Sequence, residues 1–550
     1  MHRLIRFKVA ALAACLMLGS QARVVAQVNL PPITPLSPPS NTSPVRPSGA
    51  LPSLGDNSEL AATDERRIGD RIVASLFRDP DYLEDAVLHD YLQSIWQPLM
   101  AAARASGDIT PELDERFAWQ VFLIRDRTVN AFALPGGYLG VHLGLIGAVS
   151  NRDELAAVLG HELSHVTQRH ISRLISQGKT APWMIGAMIL GALAASKNPQ
   201  AASALVISGQ AIAMQNQLNF SRDMEREADR IGFGLMQSAG FDTRGVTSMF
   251  EKLSQASRFD DNGAFPYLRS HPLNTQRIAE VQARVQLPHA GKAGAAAAGA
   301  VLTATTPPAE LALHAMMAAR ARVLAEPGVD ALRAKLQEAE RLSLALRLDA
   351  GGAAAVNSGD FNIGAFYGGA LAAAKLREFG LAQALADKVM SAAQKSPEVG
   401  RYAALLRTEI ALLSIRNPAA FQTLDISKTT QRAELLLGAR ALLAAGRSQD
   451  VAGRLSIWVA DHPKDAAAWQ LLATAYSNQG QTVRAIRADA ESQVALMDYQ
   501  AALDRFKAAQ LMMRGSPGAV DFMDGSIIDT RTRQIELLIR EKTLQDKLDR

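Results

Sequence analysis

The chain of 550 residues has a single cysteine, Cys15, and that residue falls in the first 26, which read as a secretory leader. The chain that follows therefore has no thiol. This excludes a disulfide framework, a cysteine nucleophile and a zinc–thiolate site. Aromatic residues are scarce at 5% while alanine is abundant, a balance that favours helix. The conspicuous apolar runs, 9–18 and 183–195, are both shorter than the roughly 20 residues that a membrane-spanning helix needs. An excess of either charge is also missing once the leader is set aside. Of the 58 Lys and Arg, four (Arg3, Arg6, Lys8, Arg23) lie in residues 1–26 with no acid among them, leaving 54 bases against 54 acids. A neutral chain gives no electrostatic case for nucleic-acid binding.

Apolar residues at 48% and charged residues at 20% are ordinary for a globular protein, and the length suits two to four domains. Arg3, Arg6 and Lys8 precede the apolar run, and cleavage is expected near Ala26. An N-terminal anchor is the alternative. Leu12-Ala13-Ala14-Cys15 also fits a bacterial lipobox, which would make Cys15 the lipidated start of an outer-membrane lipoprotein. The apolar segment before it would then be only about six residues, which favours soluble export.

Residues 27–58 form a Pro-rich linker, and 289–308 form a second linker rich in Ala and Pro, ending in Pro307-Pro308. They bracket one domain over 59–288 and leave another over 309–550. In the first, a strand is expected over 117–124, followed by strand, Pro135-Gly136-Gly137 turn and strand over 130–141. An edge formed by Asn130, Ala131, Phe132 and Ala133 could take an extended peptide as an added strand; an ordinary hairpin is the alternative. The run that opens with Trp183 and closes with Ala195 reads as a helical hairpin, a lid, or a site of peripheral membrane contact.

The last domain repeats. Gly380 precedes Pro397 by 17 residues, Gly446 precedes Pro463 by the same 17, and Gly480 follows Gly446 by 34. With Trp469, Leu472, Ala473 and Tyr476 ahead of Gly480, this is the tetratricopeptide pattern, an α-solenoid with a concave surface for peptides or partners. A plain helical bundle is the alternative.

His161-Glu162-Leu163-Ser164-His165 carries the chemistry. Ser150 with Asp153 looks like a capping box that starts a helix near Asn151. On that helix His161 and His165 are one turn apart on one face, so both imidazoles can reach one zinc ion. Glu162, turned about 100° from His161, can reach water at the metal without ligating it. A chance match on a surface helix is the alternative. A third ligand is needed, and a second helix, capped by Ser221 and stopped by Gly240, places Glu225 and Asp229 on one face. Glu225 is the expected ligand and Asp229 the partner of a ligand histidine, against the alternative of a solvated acidic patch. His170 is rejected as a ligand: it lies about 140° around the helix from His165, and the metzincin spacing falls on Ile171. His271 and Arg277 are the expected oxyanion partners, with a surface histidine as the alternative.

The ordered set His161-Glu162-x-x-His165, Glu225-x-x-Ala228-Asp229 and His271-x5-Arg277, with the segment from Asn130 to Gly137, resembles the zinc metallopeptidases that include HtpX and the CAAX prenyl proteases. Phe220-Ser221-Arg222-Asp223 and the repeats are similar to their exported BepA-like branch. The resemblance implies a mainly α fold with a small β-sheet, a helical HExxH metallopeptidase domain followed by a tetratricopeptide-repeat solenoid. It implies one Zn2+ on His161, His165 and Glu225, Glu162 as general base, and His271 as an oxyanion or gating residue able to bind zinc at rest. It further implies a periplasmic endopeptidase that degrades stalled outer-membrane β-barrel proteins and assists their assembly, with the assembly machinery as partner. A chaperone or adaptor working through its repeats, with a mostly silent zinc site, is the competing expectation.

Overall fold

The structure, a computed structural model, describes residues 60–176, 220–257, 265–286, 308–348, 359–414, 421, 425–515 and 522–548. The leader over 1–26, the linker over 27–58, the run over 183–195 and residues 289–307 lie outside them. Among the described residues, no helix is long and apolar enough to cross a membrane.

Two helices, α1 (Ala62–Leu76) and α2 (Ala86–Ser106), flank a short strand β1 (Tyr82–Leu83). After α3 (Pro111–Arg116) come β2 (Gln120–Ile124), β3 (Ala131–Leu134) and β4 (Tyr138–His142). The sheet order is β1-β2-β4-β3, with β2 and β4 parallel and the other pairs antiparallel. Strand β3 therefore ends the sheet. Its hairpin to β4 turns at Gly136 and Gly137, whose φ of +77° and +85° is the left-handed region that glycine enters without a Cβ penalty. β2 starts three residues later than the expected strand over 117–124, because Phe117 caps α3 and Trp119 takes a φ of +48°.

A short helix α4 (Leu143–Ala148) leads into α5 (Arg152–Thr167), which carries the HExxH motif. Its cap sits one residue beyond the expected one. The Asn151 side chain accepts from the Glu154 amide at 2.9 Å, and Glu154 accepts from the Ser150 amide at 2.7 Å. Asp153 instead accepts the amide of Asp242 at 3.0 Å. Fifteen of the sixteen residues of α5 are buried. It is enclosed by α2, β3, β4, α7 (Arg222–Ser238) and α8 (Arg244–Ser257), after α6 (His170–Ser176), and a helix covered all round has no amphipathic stripe. Ser221 caps α7 as expected, accepting the Met224 amide at 3.2 Å, and Gly240 follows its end at φ +82°.

The packing of α5 on α7 is set by glycine. A Cβ on Gly232 would lie 3.0 Å from Gly160 carbonyl atoms and the His161 amide, and one on Gly160 would lie 3.3 Å from Gly232 O. The helices touch backbone to backbone one residue from the first motif histidine. A short turn α9 (Tyr267–Ser270) and α10 (Thr275–Gln286) complete this part.

The remaining described α-helices are α11 (Pro308–Ala325), α12 (Val329–Leu348), α13 (Gly359–Lys375), α14 (Phe379–Ala392), α15 (Pro397–Ser414), α16 (Arg432–Ala444), α17 (Ser448–Asp461), α18 (Ala466–Asn478), α19 (Thr482–Ala495), α20 (Tyr499–Gly515) and α21 (Phe522–Leu548). From α16 onward each packs on the next. Gly446 and Gly480 turn between helices at φ +78° and +72°, as their spacing predicts. Gly380 does not: it lies inside α14, and Arg377 makes that turn at φ +63°.

Helices α11 to α16 are fused to the elements that precede them. One apolar cluster runs without a break from Ala62 to Leu437. Asp85, which caps α2, is held at 2.6 Å by Arg320 of α11, and Arg320 also meets Glu409 of α15 at 2.7 Å. His314 of α11 bonds the Tyr91 hydroxyl at 2.6 Å and Val149 O at 2.9 Å. Burial pushes the His314 imidazole down to about 4 against the weaker opposing pull of Val149 O. The folded chain thus resists a proton that the unfolded chain takes up below about 6.5.

Two expected outcomes follow. Gly232→Ala should lower the thermal midpoint, since overpacking costs of about 1–3 kcal/mol exceed the roughly 1 kcal/mol gained in helix propensity. Gly234→Ala, on the same helix with open space at its Cβ, should raise it; equal shifts in calorimetry would contradict the close crossing. Separately, stability should fall as pH drops from about 6.5 to about 4, His314 contributing about 3 kcal/mol of that loss. Urea unfolding at pH 7 and pH 5 should show a shallower pH slope for His314→Gln; identical slopes would argue against a buried neutral imidazole.

Candidate metal centre

His161 and His165 direct their Nε2 atoms to within 3.0 Å of each other. From α7, Glu225 sets Oε2 3.4 Å from His161 Nε2 and Oε1 3.5 Å from His165 Nε2. His271, which caps the end of α9, brings Nδ1 to 3.3 Å from His161 Nε2 and 2.9 Å from Glu225 Oε1. One ligand atom from each of these four buried residues lies within 4.8 Å of the others. Two ring nitrogens facing at 3.0 Å repel if both present lone pairs, unless a proton or a cation stands between them.

The charges point the same way. Glu162, Glu225 and Asp229 are all buried, and Arg277 is the guanidinium set among them. With neutral imidazoles the cluster is two positive charges short of balance, the deficit that one divalent cation fills, and buried charge is costly unless paired. Burial alone would depress His161, but the hydrogen bonds it makes to the carboxylates of Asp229 and Glu225 raise it to about 10. Burial would raise Glu225, yet His271 and His161 hold it well below the carboxylate range. The donor set therefore fits a divalent metal.

Glu162 is fully buried one residue beyond His161. Burial pushes its carboxyl up, against the pull of His271 and His161. Its Oε2 accepts the amide of Ala133, on edge strand β3, at 3.0 Å. Its Oε1 has no hydrogen-bond partner, although His271 Nε2 stands 3.3 Å away. A carboxylate with a raised pKa and a free oxygen beside a metal is placed to take and return a proton. The expected substrate residues Ala131, Phe132 and Ala133 form β3, and the carbonyl of Asn130, just before it, accepts the His142 amide at 3.1 Å.

Asp229 does what its spacing predicts: Oδ1 meets His161 Nδ1 at 3.0 Å, which fixes the tautomer that leaves Nε2 for a metal. Arg277 departs from its expected role. Its Nε and Nη2 grip Asp229 at 2.7 and 2.8 Å, and Nη1 bonds Pro272 O at 2.9 Å and lies 2.8 Å from Glu225 Oε2. With these donors turned to Asp229, Pro272 and Glu225, it braces the candidate ligands from behind.

Other residues had no signal in the spacing. Tyr267 stacks on His271, rings 4.7 Å apart, and Phe220 lies 4.0 Å from the His165 ring. His170, rejected as a ligand and absent from the donor group, nonetheless bonds His165, Nδ1 to Nδ1, at 2.8 Å. No motif could reveal it, because α5 ends at Thr167 and Arg169 turns the chain at φ +52°.

Residues 88–285 match the model of peptidase family M48. The chain is 32% identical over 286 residues to the putative beta-barrel assembly-enhancing protease of Vibrio cholerae, 51% of this chain and 53% of that protein. It is 32% identical over 237 residues to the beta-barrel assembly-enhancing protease of Escherichia coli, 42% of this chain and 47% of that protein. Similarity extends to the mitochondrial metalloendopeptidase OMA1 of Arabidopsis thaliana, 33% identical over 195 residues, 35% of this chain and 36% of that protein. The chain spans about half the length of the first of these relatives. Residues 88–285 thus carry the match to peptidase family M48 and the similarity to the beta-barrel assembly-enhancing proteases, and within them stand a buried two-histidine, one-carboxylate cluster and an adjacent glutamate, the arrangement of a metallopeptidase site.

Proposed function

We propose that the chain is an exported, zinc-dependent endopeptidase that degrades misassembled outer-membrane β-barrel proteins and assists their assembly. The observation that carries the chemistry is the convergence of His161, His165 and Glu225 with Glu162, itself bonded to the edge strand through Ala133. The names of the relatives support the client class, and the leader read in residues 1–26 supports a periplasmic location. The helix pairs with Gly446 and Gly480 at turns 34 residues apart support a tetratricopeptide surface that selects clients.

His161, His165 and Glu225 would hold the metal, and the absence of thiolates with two imidazoles and a carboxylate favours zinc. Bound there, zinc lowers the pKa of its water toward about 7 and polarises a carbonyl. An extended substrate pairs with β3. Glu162 Oε1 takes the proton of the attacking water and returns it to the leaving amine. Asp229 and Arg277 keep His161 and Glu225 in place while charge develops.

A second reading rests on His271. Its Nδ1 completes a set of four donors, and a set with four protein ligands is the closed arrangement of structural sites, whereas a catalytic site keeps one position open. The chain is then gated at rest, working as an assembly adaptor until His271 moves aside. Because helices α11 to α16 share an apolar cluster with the preceding half, point variants test these readings better than removal of residues 309–550.

With an unfolded β-barrel outer-membrane protein as substrate, Glu162→Gln should keep its zinc and cleave at least about 100-fold more slowly than the parent. Cleavage at the parental rate would refute the mechanism. Should the parent be slow and His271→Ala fast, the gated reading holds; no cleavage by parent or His271→Ala would favour the adaptor.

A further inference from the structure

We infer that His170 is the positioning residue for the metal ligand His165, with its own tautomer fixed by Glu227; this rests on the metallopeptidase reading of the site. The Nε2 of His165 faces the donor cluster, 3.0 Å from His161 Nε2 and 3.5 Å from Glu225 Oε1. Its Nδ1 faces the other way, 2.8 Å from His170 Nδ1. Two ring nitrogens at that distance share one proton. If Nε2 gives its lone pair to a cation, the His165 proton sits on Nδ1 and is donated to His170. The His170 proton then sits on Nε2, 3.1 Å from Glu227 Oε2, which accepts it. Arg173 Nη2 closes the chain by donating to the same Glu227 oxygen at 2.8 Å.

The two ligand histidines thus have parallel supports. His161 leans on Asp229 and then Arg277. His165 leans on His170, then Glu227 and Arg173, with an imidazole inserted where His161 has a carboxylate. His170 is wholly buried, while the Glu227 side chain is 30% exposed, so the chain of hydrogen bonds runs from the metal ligand to the surface.

The backbone is bent to make this contact. A continued helix would carry His170 about 140° away from His165. Instead Arg169 adopts φ +52°, a region that non-glycine residues rarely enter, and begins a new helical segment. Its guanidinium is anchored on Glu65 at 2.9 Å and on Leu60 O. These part-buried contacts hold the strained conformation that turns His170 back onto His165.

The test measures zinc affinity by chelator competition and the visible bands of the cobalt-substituted chain, for the full chain and His170→Leu, His170→Asn and Glu227→Ala. His170→Leu should bind zinc about 10–100-fold more weakly, with shifted cobalt bands. His170→Asn, whose Oδ1 can accept the His165 proton, should stay within a few-fold of the parent. Glu227→Ala, at the exposed end, should shift the bands in the same direction as His170→Leu and gives the readout should that variant fail to fold. The proposal is overturned if His170→Leu or Glu227→Ala matches the parent in affinity and spectrum, or if Leu and Asn lose affinity equally with an equal fall in metal-free melting temperature. A parent that binds neither zinc nor cobalt would remove the metallopeptidase reading itself, an outcome distinct from a parent that binds and variants that do not differ.

Discussion

The metal cluster depends on how closely α5 and α7 approach. His161 and His165 belong to one helix and Glu225 and Asp229 to the other, so no ligand set exists until the two backbones meet. Gly160 and Gly232 let them touch beside His161, where any Cβ would meet main-chain atoms of the other helix. The i, i+4 spacing then does the rest on each side: the two Nε2 atoms of α5 oppose the Glu225 carboxylate, and Asp229, one turn on, takes the outward nitrogen of His161.

Such an approach buries charge, and the surroundings offset its cost. Arg277 spans Asp229 and Glu225 and stacks over Phe250 at 5.4 Å, so the carboxylates behind the imidazoles are neutralised in part without a group that faces the substrate edge. What remains is a deficit of positive charge at the centre: the carboxylates of Asp229 and Glu225 raise His161, and the imidazoles of His271 and His161 hold Glu225 low. Glu162 stands apart from that balance. It is anchored to β3 by the Ala133 amide, so the proposed base and the strand that would hold a peptide are fixed to each other directly.

Much of this was legible from the sequence, because the informative features are local. The HExxH spacing, the Glu225–Asp229 pair, the Ser221 cap and the Pro-Gly-Gly hairpin are each read within one turn of helix or one β-turn. What was missed depends on tertiary contacts. Arg277 looked like an oxyanion group because only the fold shows that it turns to Asp229 and Pro272, behind the imidazoles. His170 was set aside because ideal helix geometry was extended across Arg169, whose left-handed conformation no composition rule foretells. Gly380 failed as a turn marker for the same reason, Arg377 having taken the strained conformation instead. The shared core between the catalytic helices and α11 to α16 was hidden as well, since a change of composition at 289–308 says nothing about how the flanking segments pack.

The central claim is that His161, His165 and Glu225 hold one zinc ion by nitrogen and oxygen alone. X-ray absorption at the zinc edge, on the chain as purified, addresses it most directly. The account predicts one zinc per chain, a first shell of nitrogen and oxygen at about 2.0–2.1 Å, and the outer scattering of at least two imidazoles. A chain that retains no zinc, or a shell containing sulfur or lacking imidazole, would contradict it.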